Sequence, residues 1–192
     1  PTEGYAVWYT GGMGMGKYVA PDIPPVDLAY IAGLVDGEGT ISIRRGARRK
    51  LNIHGEQTEE YGASLSVAQK DRMILDWLKE TFDRGTICRV KYGNGFGHRT
   101  PDAFGWFWKA DYRAAYEIVR AIAPYLRIKK CQAELVIALY ELKTESWIRR
   151  RPTNFATGML PTPPDILERY RALCVETQTL NGRKVINVGP RS

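Results

Sequence analysis

Two pairs of strand-like segments, each running straight into a helical stripe, restrict this chain to an α+β fold built on antiparallel hairpins. Residues 40–53 and 61–68 alternate apolar and polar side chains and are joined by a polar loop. Asp71 is placed to cap a helix reaching about Phe82, with Ile74, Leu75, Leu78 and Phe82 on one face. Residues 86–92 and 103–110 repeat the strand pattern around the loop Gly93-Asn94-Gly95-Phe96-Gly97, and Asp111 is placed to cap a helix that stops before Pro124. A short helix over 26–36 precedes these units. A helix over 127–142 follows, striped by Ile128, Leu135, Leu139 and Leu142. After a basic, Pro-rich connection, Thr162-Pro163-Pro164-Asp165 has the form of a capping box. It opens a last helix carrying Ile166, Tyr170, Leu173 and Leu180, which stops at Asn181-Gly182. The predicted order is α-β-β-α-β-β-α-α-α, present once. Residues 26–182 read as one domain, 1–25 as a Gly/Pro-rich extension and 183–192 as a tail.

With 192 residues and 44% hydrophobic content the chain can bury a sizeable core. No apolar run approaches the ~20 residues that span a bilayer, and the opening Pro-Thr-Glu-Gly lacks the marks of a signal peptide. Cys88, Cys131 and Cys174 are dispersed, without a Cys-x-x-Cys pair. They read as buried thiols of an intracellular protein rather than a zinc or redox site. The net charge of +7 and pI near 9.4 favour an anionic partner.

The stretch Ile31-Ala32-Gly33-Leu34-Val35-Asp36-Gly37-Glu38-Gly39 carries the chemistry. Gly33 and Gly37 share a helix face, and without Cβ atoms they let another helix approach closely. Glu38 stands at the helix end, where the dipole disfavours an anion and a bound cation would offset it. A hard divalent ion suits one carboxylate together with phosphate oxygens. Gly39 is expected to begin a turn.

This stretch resembles the nonapeptide of the LAGLIDADG homing endonucleases, with Ala32, Gly33, Leu34, Asp36 and Gly39 identical to the family name. The likeness extends over most of 26–182 and is nearest the single-motif, homodimeric branch, whose subunits have an α-β-β-α-β-β-α core. It implies a site-specific double-strand DNA endonuclease, of the kind encoded in introns, cutting a long near-palindromic site to leave short 3′ overhangs. Glu38 and the Gly37 carbonyl would hold Mg²⁺, replaceable by Mn²⁺, whereas Ca²⁺ would bind without supporting cleavage. Glu38 is a departure, since Asp is the commoner family residue there. Gln69, within Val67-Ala68-Gln69-Lys70, matches a family residue that orients solvent. Lys129, within Tyr125-Leu126-Arg127-Ile128-Lys129-Lys130, matches a lysine near the scissile phosphate, and Arg72 is the candidate for a further basic residue. Gly33, Asp36 and Gly37 would lie in the dimer interface. Two other roles exist on this fold: an RNA-binding intron maturase, and a DNA-binding regulator without cleavage.

Strand alternation predicts which face would meet DNA. Ile41 and Ile43 oppose Ser42, Arg44 and Arg48; Leu65 and Val67 oppose Ser64 and Ser66; Cys88 and Val90 oppose Arg89 and Lys91. The expected outer face is therefore polar and basic, fed by Arg44, Arg45, Arg48, Arg49 and Lys50, with Lys70 nearby. Such a ribbon fits a major groove, where Arg bonds guanine and other cations bond phosphates. Trp106 and Trp108 read as core, and His54 and His98 as loop residues. Gly11-Gly12-Met13-Gly14-Met15-Gly16-Lys17 imitates a phosphate-binding loop. However, Tyr18 replaces the magnesium-binding hydroxyl, and Pro21, Pro24 and Pro25 block the helix that should follow.

Overall fold

The computed structural model describes residues 21–47, 59–91, 104–150 and 160–182. The elements are α1 (Pro25–Glu38), β1 (Gly39–Ala47), β2 (Glu59–Gln69), α2 (Met73–Phe82), β3 (Thr86–Lys91), β4 (Phe104–Asp111), α3 (Tyr112–Ile122), α4 (Lys130–Arg150) and α5 (Pro164–Leu180), with a short 3-10 turn at Ala123–Tyr125. This is the expected α+β order. The strands form one antiparallel sheet in the order β1-β2-β4-β3. The Gly-rich loop-like motif, His54, His98, Arg48, Arg49 and Lys50 lie outside the described residues.

The helices cover one face of the sheet. Ile41, Ile43, Leu65, Val67 and Trp108 are buried from the sheet side, against Ile31, Val35, Leu75, Leu78, Ile118, Ile122 and Leu139 from the helices. Each such large side chain contributes roughly 1.5–3 kcal/mol when fully buried. Trp108 is also fixed by its indole N–H, which donates to the Arg84 carbonyl at 3.0 Å. Gly85 passes beneath that ring at φ +88°, where a Cβ would sit 2.2 Å from the indole nitrogen.

Several local expectations are corrected. The Asp71 carboxylate does accept the Met73 N–H at 2.9 Å. Asp111 makes no capping bond and pairs with Lys109 instead. At α5 no side chain caps the first turn, and Asp165 accepts two bonds from Arg149 at 2.7 and 3.1 Å. Helix α4 begins three residues later than predicted and runs on to Arg150, leaving Ile128 outside it and 73% exposed. In α5, Leu180 is 46% exposed, while Cys174 and Thr177 complete the buried stripe. Of the three cysteines only Cys174 is buried; Cys88 and Cys131 are exposed. No helix among the described residues is long and apolar enough to cross a membrane.

Candidate nucleic-acid interface and metal centre

Paired residues of neighbouring strands share a face, so the register assigns every strand residue a side. Ile87 is opposite Trp108, and Arg89 is opposite Trp106. Arg89 therefore stands on the helix-covered side, and Thr86, Cys88 and Val90 on the open one, the reverse of the expectation; the Lys91 side chain lies outside the described residues. β3 is an edge strand, and Arg89 toward its far end is exposed although it stands on the core side. There a charged residue on the core side still reaches water, so polarity no longer reports the face.

Ser42 and Ser64 do face the open side, paired directly with each other, but they are only 3% and 2% exposed. Short hydroxyls in mid-sheet lie below their longer neighbours, and this overturns their expected accessibility. Ser66 is half-buried and Arg44 exposed on the same side. Arg45 points to the opposite side, where it pairs with Glu59, which also takes Arg171 at 3.2 Å. Partial burial alone would raise the Glu59 pKa; bonds from Arg171, Tyr61 and Arg45 outweigh it and hold the carboxyl below its ordinary value. With Lys109 matched by Asp111, the described part of the open face is polar and nearly neutral rather than strongly basic.

The unmatched cations gather instead where α1 meets the sheet. Pro24 and Pro25 start α1, as suits a position that needs no N–H donor. The helix ends at Glu38 and enters β1 at Gly39 without the expected turn. A Cβ on Gly39 would lie 2.8 Å from both Cα and the carbonyl oxygen of Val35, so close approach, not backbone freedom, requires glycine there. Glu38 is exposed, and its carboxylate has no hydrogen bond or ion pair among the described residues.

Asp36, two residues earlier, is fully engaged. Its carboxylate accepts the backbone N–H groups of Arg127 at 2.8 Å, Ile128 at 3.2 Å and Lys129 at 2.9 Å. The Lys129 ammonium donates to the Asp36 carbonyl. Partial burial opposes ionisation, but these bonds and the Lys129 charge outweigh it and hold the Asp36 pKa below its ordinary 3.8. Asp36 thus pins the turn before α4 against the end of α1 and brings Lys129 beside Glu38. That clamp also explains why α4 starts late. Its signal is absent from local sequence, because its donors lie more than ninety residues away.

Gln69 lies two residues beyond Val67, the partner of Gly39, on the same side of β2 and toward the last turn of α1. Lys70, Arg127 and Lys130 are exposed around this end. Arg72 is engaged: its Nε donates to Asp76 at 3.1 Å, and its guanidinium lies 5.1 Å from the Trp106 ring centre. Gly33 and Gly37 are exposed, and a Cβ at either would meet nothing within 4 Å. Val26 and Tyr30 on the same helix are 72% and 57% exposed.

A divalent ion fits the chemistry at this point. The Glu38 carboxylate is uncommitted, and the Gly37 carbonyl belongs to the last turn of a helix, where carbonyls lack helical partners. No group of three His, Cys, Asp or Glu gathers among the described residues, so a full oxygen shell would draw on a second chain, phosphates and water.

No family model and no curated protein sequence matches the chain. Solved structures do. The homing endonuclease I-CvuI, in complex with DNA, superposes with a TM-score of 0.56 at 18% identity, over 87% of this chain and 86% of that one. The archaeal intron-encoded homing endonuclease I-Vdi141I, complexed with DNA, gives 0.59 at 16%, over 85% and 89%. The I-SmaMI LAGLIDADG homing endonuclease, bound to cleaved DNA, gives 0.52 at 19%, over 90% of this chain and 52% of that one. The chain has the fold of the LAGLIDADG homing endonucleases.

Proposed function

We propose that this protein is a site-specific double-strand DNA endonuclease that uses a divalent metal and acts as a homodimer. The observation that carries this reading is the uncommitted carboxylate of Glu38 at the tip of α1, with Lys129 clamped beside it. The solved proteins of the same fold, I-CvuI and I-Vdi141I, are DNA complexes, which supports the same partner here.

Glu38 and the Gly37 carbonyl would hold the ion. When bound, it polarises the phosphodiester and eases deprotonation of water. Lys129 stabilises negative charge on the phosphoryl oxygens, and Gln69 orients solvent. Asp36 positions Lys129. One chain presents one such set, and cutting two strands takes two. The open stripe of Val26, Tyr30, Gly33 and Gly37 is where a second α1 would pack and bring two Glu38 residues together. A two-fold dimer reads a near-palindromic site.

The test is cleavage of a plasmid library of randomised targets in Mg²⁺, followed by the recovered target with Glu38→Gln. The variant should bind the target in Ca²⁺ and cut on the order of 10³-fold more slowly in Mg²⁺, since a lost metal ligand removes several kcal/mol of transition-state stabilisation. Equal cutting by both proteins would place the active site elsewhere. Binding by both without cutting by either would favour a regulator.

A further inference from the structure

One cleft beside Glu38 is lined by residues that, Lys129 apart, have no part in the chemistry above. Gly39 and Thr40 at the start of β1, Lys129 on the clamped turn, Gln132 in the first turn of α4, and Asn181 at the end of α5 line it. Asn181 is held in place: its side-chain amide donates to the Ile41 carbonyl at 2.8 Å, and its backbone N–H to Thr177 and Gln178 at 3.2 Å. Gln132 is different. It is only 8% exposed, yet its amide makes no hydrogen bond to any described residue. Ser146 Oγ is the one described side-chain atom that is both sealed from solvent and unpartnered. The Gln132 amide therefore keeps a small opening, and the cleft it lines is where that opening lies.

An amide held this way lowers stability unless a partner arrives. The lining indicates the partner's charge. No acidic side chain lines the cleft, Lys129 does, and Gln132 belongs to the first turn of α4, whose leading N–H groups lack helical acceptors. We infer that this cleft seats a backbone phosphate of the bound DNA adjoining the one that is cut, with the Gln132 side chain donating to an unesterified oxygen. This rests on the DNA-binding reading and adds to it a sequence-independent contact that sets the strand's position relative to Glu38.

The test uses the full chain, the recovered target duplex and a duplex of unrelated sequence, both in Ca²⁺. Gln132→Met keeps the shape and removes the donor; Gln132→Glu puts an anion against the phosphate. Gln132→Met should weaken binding to both duplexes about tenfold or more, the loss of a hydrogen bond to a charged group. The slope of affinity against salt should not change, because no cation is removed. Gln132→Glu should be weaker still. The melting temperature of free Gln132→Met should equal or exceed that of the wild type, whereas a merely structural glutamine would lower it. Wild-type binding by both variants overturns the inference, as does weakened binding that tracks a fall in melting temperature. If the wild type binds but never cuts, the nuclease reading fails and the Gln132 variants still decide the phosphate contact. If Glu38→Gln abolishes cutting while both Gln132 variants bind normally, the contact alone fails.

Discussion

Asp36 shows how one side chain converts a motif into a site. Three backbone N–H groups converge on its carboxylate, so Asp36→Asn, which cannot accept all three with both oxygens, should cost about 1–3 kcal/mol. It should slow cleavage by more than that loss of stability explains, because Lys129 is released. The sign of the pH effect follows from the shift. The folded pKa is below the unfolded value, so the clamp contributes fully above about pH 4, near the unfolded carboxyl pKa. That contribution fades as pH falls through the lower folded value. Thermal melts at pH 3 and 7 should show a smaller wild-type advantage over Asp36→Asn at the acid end. A constant difference would mean that Asp36 stays protonated or unpaired. Glu38 is exposed, as the proposed metal ligation requires, and its longer reach over Asp costs the structure nothing visible among the described residues.

Among the elements, α1 has two faces with separate uses. Ile31, Ala32 and Val35 are buried on one. Gly33 and Gly37 leave the other open to a partner helix. Gly33→Leu fits the isolated chain, since a Cβ there meets nothing within 4 Å, and it removes a helix-weakening glycine worth roughly 0.5–1 kcal/mol. In a dimer the same side chain would hold the two helices apart. Sedimentation should show the variant shifted to monomer with its circular dichroism spectrum retained; an unchanged assembly state would refute the α1 interface. Core-facing periodicity was legible for α2, β1 and β2, where apolar residues recur at the element's own period. It misled at β3, where Arg89 occupies the core side of an edge strand and is exposed there. It also missed the start of α4, which Asp36 sets from another element.

For the molecule as a whole, the excess positive charge of the described residues concentrates at the end of the sheet near Glu38, with Lys70, Arg127, Lys129 and Lys130, rather than across the open face. DNA binding should still depend steeply on salt. With about 6–10 phosphate contacts, affinity should fall ~10³–10⁵-fold between 50 and 200 mM salt, measured by fluorescence anisotropy in Ca²⁺. A nearly flat dependence would mean that DNA is not held through its backbone. What the sequence determined by itself is the element order, most of the core, and the nonapeptide whose eighth residue is Glu38. These are local, because strand and helix periods and a helix terminus are properties of neighbouring residues. Only the tertiary structure decided which strand residues are covered, that Arg45 is neutralised by Glu59, and that Lys129, Gln132 and Asn181 converge on one helix tip. Those outcomes depend on register and on backbone groups meeting across ninety residues or more, and no short-range pattern encodes either.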